Sequence, residues 1–197
     1  MTRVQFPLRI SAILIDLDGT LLHTAPELAE SANRMLRDMG RPCAPQDLLK
    51  SYIGNGISWL VKRALTGDMH AEPDVALYDK ALPIFERHYT ELLLQSKPFE
   101  GVLPGLDALK SAGFKLGCIT NKVSRYTEPL LKGIGLARYF DIVLSGDSLN
   151  DAVAARAAGC PVFCVPYGYN HGEPVEGLDV DAVIPTLCEA VRLIRLA

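Results

Sequence analysis

Apolar positions along this chain fall into two periods. Ile10-Ser-Ala-Ile-Leu-Ile15 is a nearly unbroken apolar run closed by Asp16, the pattern of a strand buried in a parallel sheet. From about Thr24 to Gln95 the spacing becomes helical. Leu28, Ala32, Met35, Leu36 and Met39 make one apolar face, ended by Gly40. Thr24-Ala-Pro-Glu27 reads as a capping box with proline in the first turn. Ile57–Leu65 and Val75–Leu94 read as further helices, and no strand signal interrupts them. Lys97-Pro98-Phe99 then returns the chain to alternating elements. These are a helix at Leu106–Ala112 ended by Gly113, a strand at Lys115–Ile119, a helix to about Leu136, a strand at Ile142–Leu144, a helix at Ala152–Ala158 and a strand at Val162–Val165. Strands alternating with helices predict an α/β core with a parallel sheet. Residues 1–22 and 97–197 are expected to form that core, and residues 23–96 an all-helical insert.

Composition narrows the picture. A chain of 197 residues, 49% hydrophobic and 22% charged, suits one folded core with a small insert. A net charge of −3 gives no electrostatic case for nucleic acid. The N-terminus has no signal-peptide pattern, and the first apolar run is far too short to span a bilayer. Cys43, Cys118, Cys160, Cys164 and Cys188 are odd in number and lack a CxxC pair, which fits a reducing, cytoplasmic setting. Cys160 and Cys164, flanking an apolar Pro-Val-Phe, read as structural thiols.

The chemistry concentrates at three strand ends. Asp16-Leu-Asp18-Gly19-Thr20 places two carboxylates after the first strand, where open α/β sheets put their sites. Two such acids in one tight turn suit a nucleophile, a neighbouring acid/base and a bound cation. Thr120 offers a hydroxyl at the second tip, and the amides around Asn121 suit a phosphate at a helix start. Asp147 follows a glycine at the third tip, with Asp151 four residues on. Such acids complete a Mg²⁺ shell in which the ion keeps several waters. Each tip alone also reads as an ordinary turn or helix cap.

With these motifs in place, the chain resembles the haloacid dehalogenase superfamily, whose first motif is Asp-x-Asp-Gly-Thr. The resemblance implies a three-layer, Rossmann-like parallel-sheet core with a mobile helical cap over residues 23–96. It implies Asp16 as nucleophile, Asp18 as acid/base, Thr120 and Asn121 at the phosphate, and Asp16, Asp18 and Asp147 at Mg²⁺, with Asp151 as a further metal acid. More narrowly, Thr120-Asn-Lys122, Gly54-Asn-Gly56, Ala154-Ala-Arg-Ala-Ala-Gly159 and Pro166-Tyr-Gly-Tyr-Asn-His-Gly172 resemble the bacterial phosphoglycolate phosphatases. This implies hydrolysis of 2-phosphoglycolate, a small phosphorylated partner, with neither nucleic acid nor membrane. Lys122 reads as a substrate-rim cation or a structural lysine at a helix start. Lys62 and Arg63 read as cap residues that meet a substrate carboxylate, or as solvated helix charges. His23 and His171 lack metal-ligand spacing.

One departure stands out. The family's third motif is a lysine between the second and fourth motifs, and here the last lysine is Lys132. Asp141-Ile-Val-Leu-Ser-Gly-Asp147 reads as one family strand spliced onto the fourth motif. The core is then short by roughly 30 residues, about one strand–helix unit. Impaired hydrolysis is expected. A binding remnant with little turnover and a sugar-phosphate mutase are the alternatives, and the long insert argues against a receiver domain. The spliced strand has two places to go. Beside the Asp16 strand it buries that strand on both sides, and this is the expected place. Beyond the Thr120 strand it keeps a local right-handed crossover, but leaves Asp147 two strands from Asp16, which favours the remnant.

Overall fold

The computed structural model describes residues 5–145, 155–169 and 175–197. The first apolar run divides at Ser11. Strand β1 (Leu8–Ile10) pairs in parallel with β9 (Ile194–Leu196) near the other end of the chain, while β2 (Ala12–Asp16) pairs in parallel with β5 (Lys115–Thr120). Between β3 (Leu22–His23) and its antiparallel partner β4 (Lys97–Pro98) lie four helices: α1 (Ala25–Asp38), α2 (Gln46–Ser51), α3 (Gly56–Thr66) and α4 (Val75–Leu92). They bury Met35, Leu49, Leu60, Phe85 and Tyr89 among themselves and against the rest of the chain. No strand breaks this segment, as its pattern predicts.

The α/β part continues with α5 (Val102–Ser111) before β5, then α6 (Ser124–Ile134) and β6 (Ile142–Ser145). The sheet order is β2-β5-β6, all parallel, with Gly117 opposite Ile142 and Thr120 opposite Ser145. This corrects the expectation that the spliced strand would lie beside β2. The cause is local. The Asp141 amide donates to the Leu116 carbonyl at 2.8 Å, and its carboxylate accepts from the Leu116 amide at 3.0 Å and from Lys110 at 3.1 Å. Those bonds fasten the start of β6 to β5 before any pattern of burial is consulted.

One face of this sheet carries Ile15, Leu116, Cys118 and Thr120, all at most 5% exposed. The other carries Leu14, Ile142 and Leu144, which are 57%, 51% and 45% exposed. Leu14 and Ile142 lean over Gly117, where a Cβ would stand 2.6 Å from Leu14 and 3.1 Å from Ile142. Three layers require a helical cover on that face, and the described residues supply none. The strand expected at Val162–Val165 is the short β7 (Phe163–Cys164). It pairs with β8 (Ala182–Val183) instead of joining the main sheet. Helix α7 (Leu187–Leu193) packs on α5 at Gly105, where a Cβ would meet the Leu187 and Cys188 backbone at 3.0 Å. No helix among the described residues is long and apolar enough to cross a membrane.

Candidate active site

Asp16 ends β2 opposite Ile119, so it stands one register position from Thr120 at the end of β5. The chain then folds back on itself. The amides of Leu21 and Leu22 both reach the Leu17 carbonyl, at 3.0 and 2.9 Å, and the Gly19 amide reaches the Leu22 carbonyl at 2.9 Å. Leu17, Leu21 and Leu22 are fully buried and anchor this turn, so the acids on either side of Leu17 face a common cleft. Gly19 is required twice over. Its φ is +87°, and a Cβ there would lie 2.8 Å from the Tyr169 ring.

The cleft is lined by Asp16, Asp18, Thr120, Asn121, Lys122 and Tyr169 on one side. Leu28, Ile53, Gly54, Gly56, Ile57 and Leu60 of the helical segment line the other. Its cavity volume is about 90 Å³. The Thr120 hydroxyl accepts the Lys122 amide at 3.2 Å, which leaves its own proton to donate. Asn121 reaches across with Nδ2 to the Gly54 carbonyl at 3.2 Å, joining the phosphate-side loop to the helical segment.

Lys122 is buried, and its ammonium lies 3.2 Å from Asp18 Oδ2. It also donates to the Tyr89 hydroxyl and sits 4.9 Å above the Tyr89 ring. Tyr89 comes from α4 and is itself wedged edge-on against Tyr126 of α6. Burial works against the Lys122 charge, but Asp18 and Tyr89 outweigh it and hold its pKa above the ordinary lysine value. Burial also pushes the Tyr89 phenol up to about 12. The lysine thus lies buried at the cleft, bound to Asp18 and Tyr89.

Arg63 is elsewhere. Its guanidinium gives hydrogen bonds to the Tyr52 carbonyl at 2.7 Å, the Met69 carbonyl at 3.0 Å and Asn55 Oδ1 at 3.0 Å. It holds the loop between α2 and α3 and does not line the cleft. Lys62 pairs with Glu72 at 2.8 Å. The capping box is also not formed: Thr24 makes no side-chain cap bond, and the Ala25 amide goes instead to the Tyr169 hydroxyl at 2.8 Å. Glu27 turns inward, and burial raises its pKa above 4.5 although Ser96 hydrogen-bonds to it. Tyr89 and Tyr169 are the contributors that sequence reasoning passed over. Tyr169 lay within the Pro166–Gly172 motif, whereas Tyr89 sits in a helix with no local signal.

Asp147, Asp151 and His171 lie outside the described residues. Among the described residues no three acids, histidines or cysteines gather closely enough to hold a metal. Asp16 and Asp18 nonetheless fit a hard cation that keeps several waters. Both are oxygen donors on the same cleft.

Residues 13–152 match the model of the haloacid dehalogenase-like hydrolases. The chain is 50% identical to a phosphoglycolate phosphatase of Thiobacillus denitrificans, covering 98% of this chain and 99% of that one. It is 47% identical to one of Nitrosospira multiformis, with the same coverage. The Thiobacillus alignment runs over 225 residues against a chain of 197, so that relative carries at least 28 residues with no counterpart here. Among solved structures, a predicted phosphoglycolate phosphatase from Haemophilus somnus superposes with a TM-score of 0.83 at 28% identity. The match covers 91% of this chain and 96% of that one.

Proposed function

The chain belongs to the haloacid dehalogenase-like hydrolases and is a homologue of phosphoglycolate phosphatases, and on that premise we propose that it hydrolyses 2-phosphoglycolate to glycolate and phosphate, slowly and with Mg²⁺. The observation that carries this reading is the shared cleft of Asp16, Asp18, Thr120 and Lys122 at adjacent strand ends. Residues 23–96 act as the cap, and the apolar walls at Leu28, Ile57 and Leu60 keep water from the reacting atoms.

In the first step an Asp16 carboxylate oxygen attacks phosphorus and the ester P–O bond breaks. Asp18 gives its proton to the departing glycolate oxygen. In the second, water attacks the aspartyl-phosphate, Asp18 takes the water's proton, and phosphate leaves with Asp16 restored. The Thr120 hydroxyl holds a phosphate oxygen throughout. Asp16 and Asp18 would hold Mg²⁺, which would supply charge neutralisation; Asp147, expected as a third ligand, follows β6 on the far side of β5.

A second reading is a chain that binds Mg²⁺ and phosphate but barely turns over. Two observations favour it: β6 lies on the far side of β5 from Asp16, and the Thiobacillus relative carries at least 28 residues with no counterpart here. Phosphate release from 2-phosphoglycolate with Mg²⁺ separates the two. A rate constant measurable but below about 1 s⁻¹ supports the slow phosphatase. Beryllofluoride binding without hydrolysis supports the second reading.

A further inference from the structure

The cleft gathers more negative than positive charge. Asp16 and Asp18 line it, and a phosphate dianion must enter between them. Among the described lining residues the only cation is Lys122. Its two attachments differ in origin. The Asp18 carboxylate belongs to the turn after β2, and the Tyr89 hydroxyl and ring belong to α4 of the helical segment. The ammonium is therefore fixed by both the α/β part and the helical segment. Only one Asp18 oxygen, Oδ2, is engaged by it. Oδ1 is buried and has no partner among the described residues.

We propose that Lys122, clamped by Tyr89, is the positioning residue for Asp18 and the source of positive charge in the cleft. By holding Oδ2 it turns Oδ1 to the ester oxygen, so that a proton taken up from solvent at Oδ1 when the phosphate dianion enters passes to that oxygen as the P–O bond breaks. It supplies, from the loop after β5, the charge for which no lysine beyond Lys132 is available. Tyr89 makes this charge depend on the seating of α4. This inference rests on the phosphatase reading above.

The test compares two esters. The glycolate oxygen of 2-phosphoglycolate needs a proton to leave, whereas p-nitrophenolate leaves without one. Lys122→Met is expected to lower kcat/KM for p-nitrophenyl phosphate by about tenfold, the loss of the charge, and for 2-phosphoglycolate by about 100-fold or more, the loss of the charge and of the placed Asp18. Tyr89→Phe keeps the ring and removes the hydroxyl. It is expected to shift the same ratio in the same direction by about threefold to tenfold, and it carries the test if Lys122→Met does not fold. Equal losses on both esters, or no loss, overturn the proposal. Beryllofluoride titration with Mg²⁺ needs no turnover. There Lys122→Met is expected to weaken binding by at least about tenfold, and unchanged affinity overturns the proposal. An unsubstituted chain that binds beryllofluoride but hydrolyses neither ester removes the phosphatase reading, and the binding result alone then decides the role of Lys122.

Discussion

Asp16 and Asp18 are two residues apart, yet the fold gives them unequal surroundings. Asp16 stands at the end of a strand, and Asp18 sits on the following turn with a buried ammonium at 3.2 Å. That difference suits a nucleophile beside an acid/base. Beryllofluoride with Mg²⁺ is expected to raise the melting temperature of the unsubstituted chain, and Asp16→Asn to remove that rise while the fold persists. Equal shifts in both proteins would contradict Asp16 as the acceptor. Arg63 is the opposite case, a charge spent on the chain's own carbonyls. Arg63→Met is expected to lower stability by about 2–3 kcal/mol in urea unfolding, because buried acceptors lose their donors. It leaves the relative KM values for 2-phosphoglycolate and p-nitrophenyl phosphate unchanged.

At the scale of elements, α1 shows how a local rule yields to a distant partner. The capping box is absent because the Thr24 amide is taken by the Leu22 carbonyl, Glu27 is turned inward, and Tyr169, far along the chain, accepts the Ala25 amide. A buried acid with a raised pKa favours the folded state fully below its unfolded value, near 4.5, and less as pH rises through the folded value. Glu27→Gln, which mimics the protonated acid, is therefore expected to raise the melting temperature at pH 7. The gain should vanish below about pH 4.5, as a pair of thermal melts across that range will show. The long periodic segments α1, α3, α4 and α6 were legible because repeated apolar spacing is a strong signal. So were the positions of Asp16 and Thr120, since each ends an apolar strand, and that of Asp18 on the turn after the first. Helix α2 is too short to show a period. The placement of β6 was illegible because the bonds of Asp141 to Leu116 and Lys110 decide it, and no hydrophobic pattern encodes them. The role of Tyr89 was hidden for a similar reason: its partner lies 33 residues away, on a loop of the α/β part.

For the molecule as a whole, the sheet face that no described residue covers is the main departure from a parallel-sheet core, which is normally covered on both sides. Leu14, Ile142 and Leu144 present an apolar strip beside a terminal strand of that sheet, the combination that soluble proteins usually blunt with lysine. Leu14→Lys is expected to reduce light scattering in concentrated solution while shifting stability by no more than about 1 kcal/mol, since that side chain is already largely exposed. A large loss of stability would mean that the strip is packed in solution. The contact between Tyr169 and Ala25 has a consequence in time as well as in space. Its two residues are 144 positions apart, so the first amide of α1 is sealed only after the loop beyond β7 has arrived. The helices of the segment can form early from their own neighbours, while this seal belongs to the last and slowest kind of closure. Removing the hydroxyl with Tyr169→Phe should then leave the refolding rate nearly untouched and quicken unfolding, so that the bond acts as a latch on the finished molecule and not as a guide to its assembly.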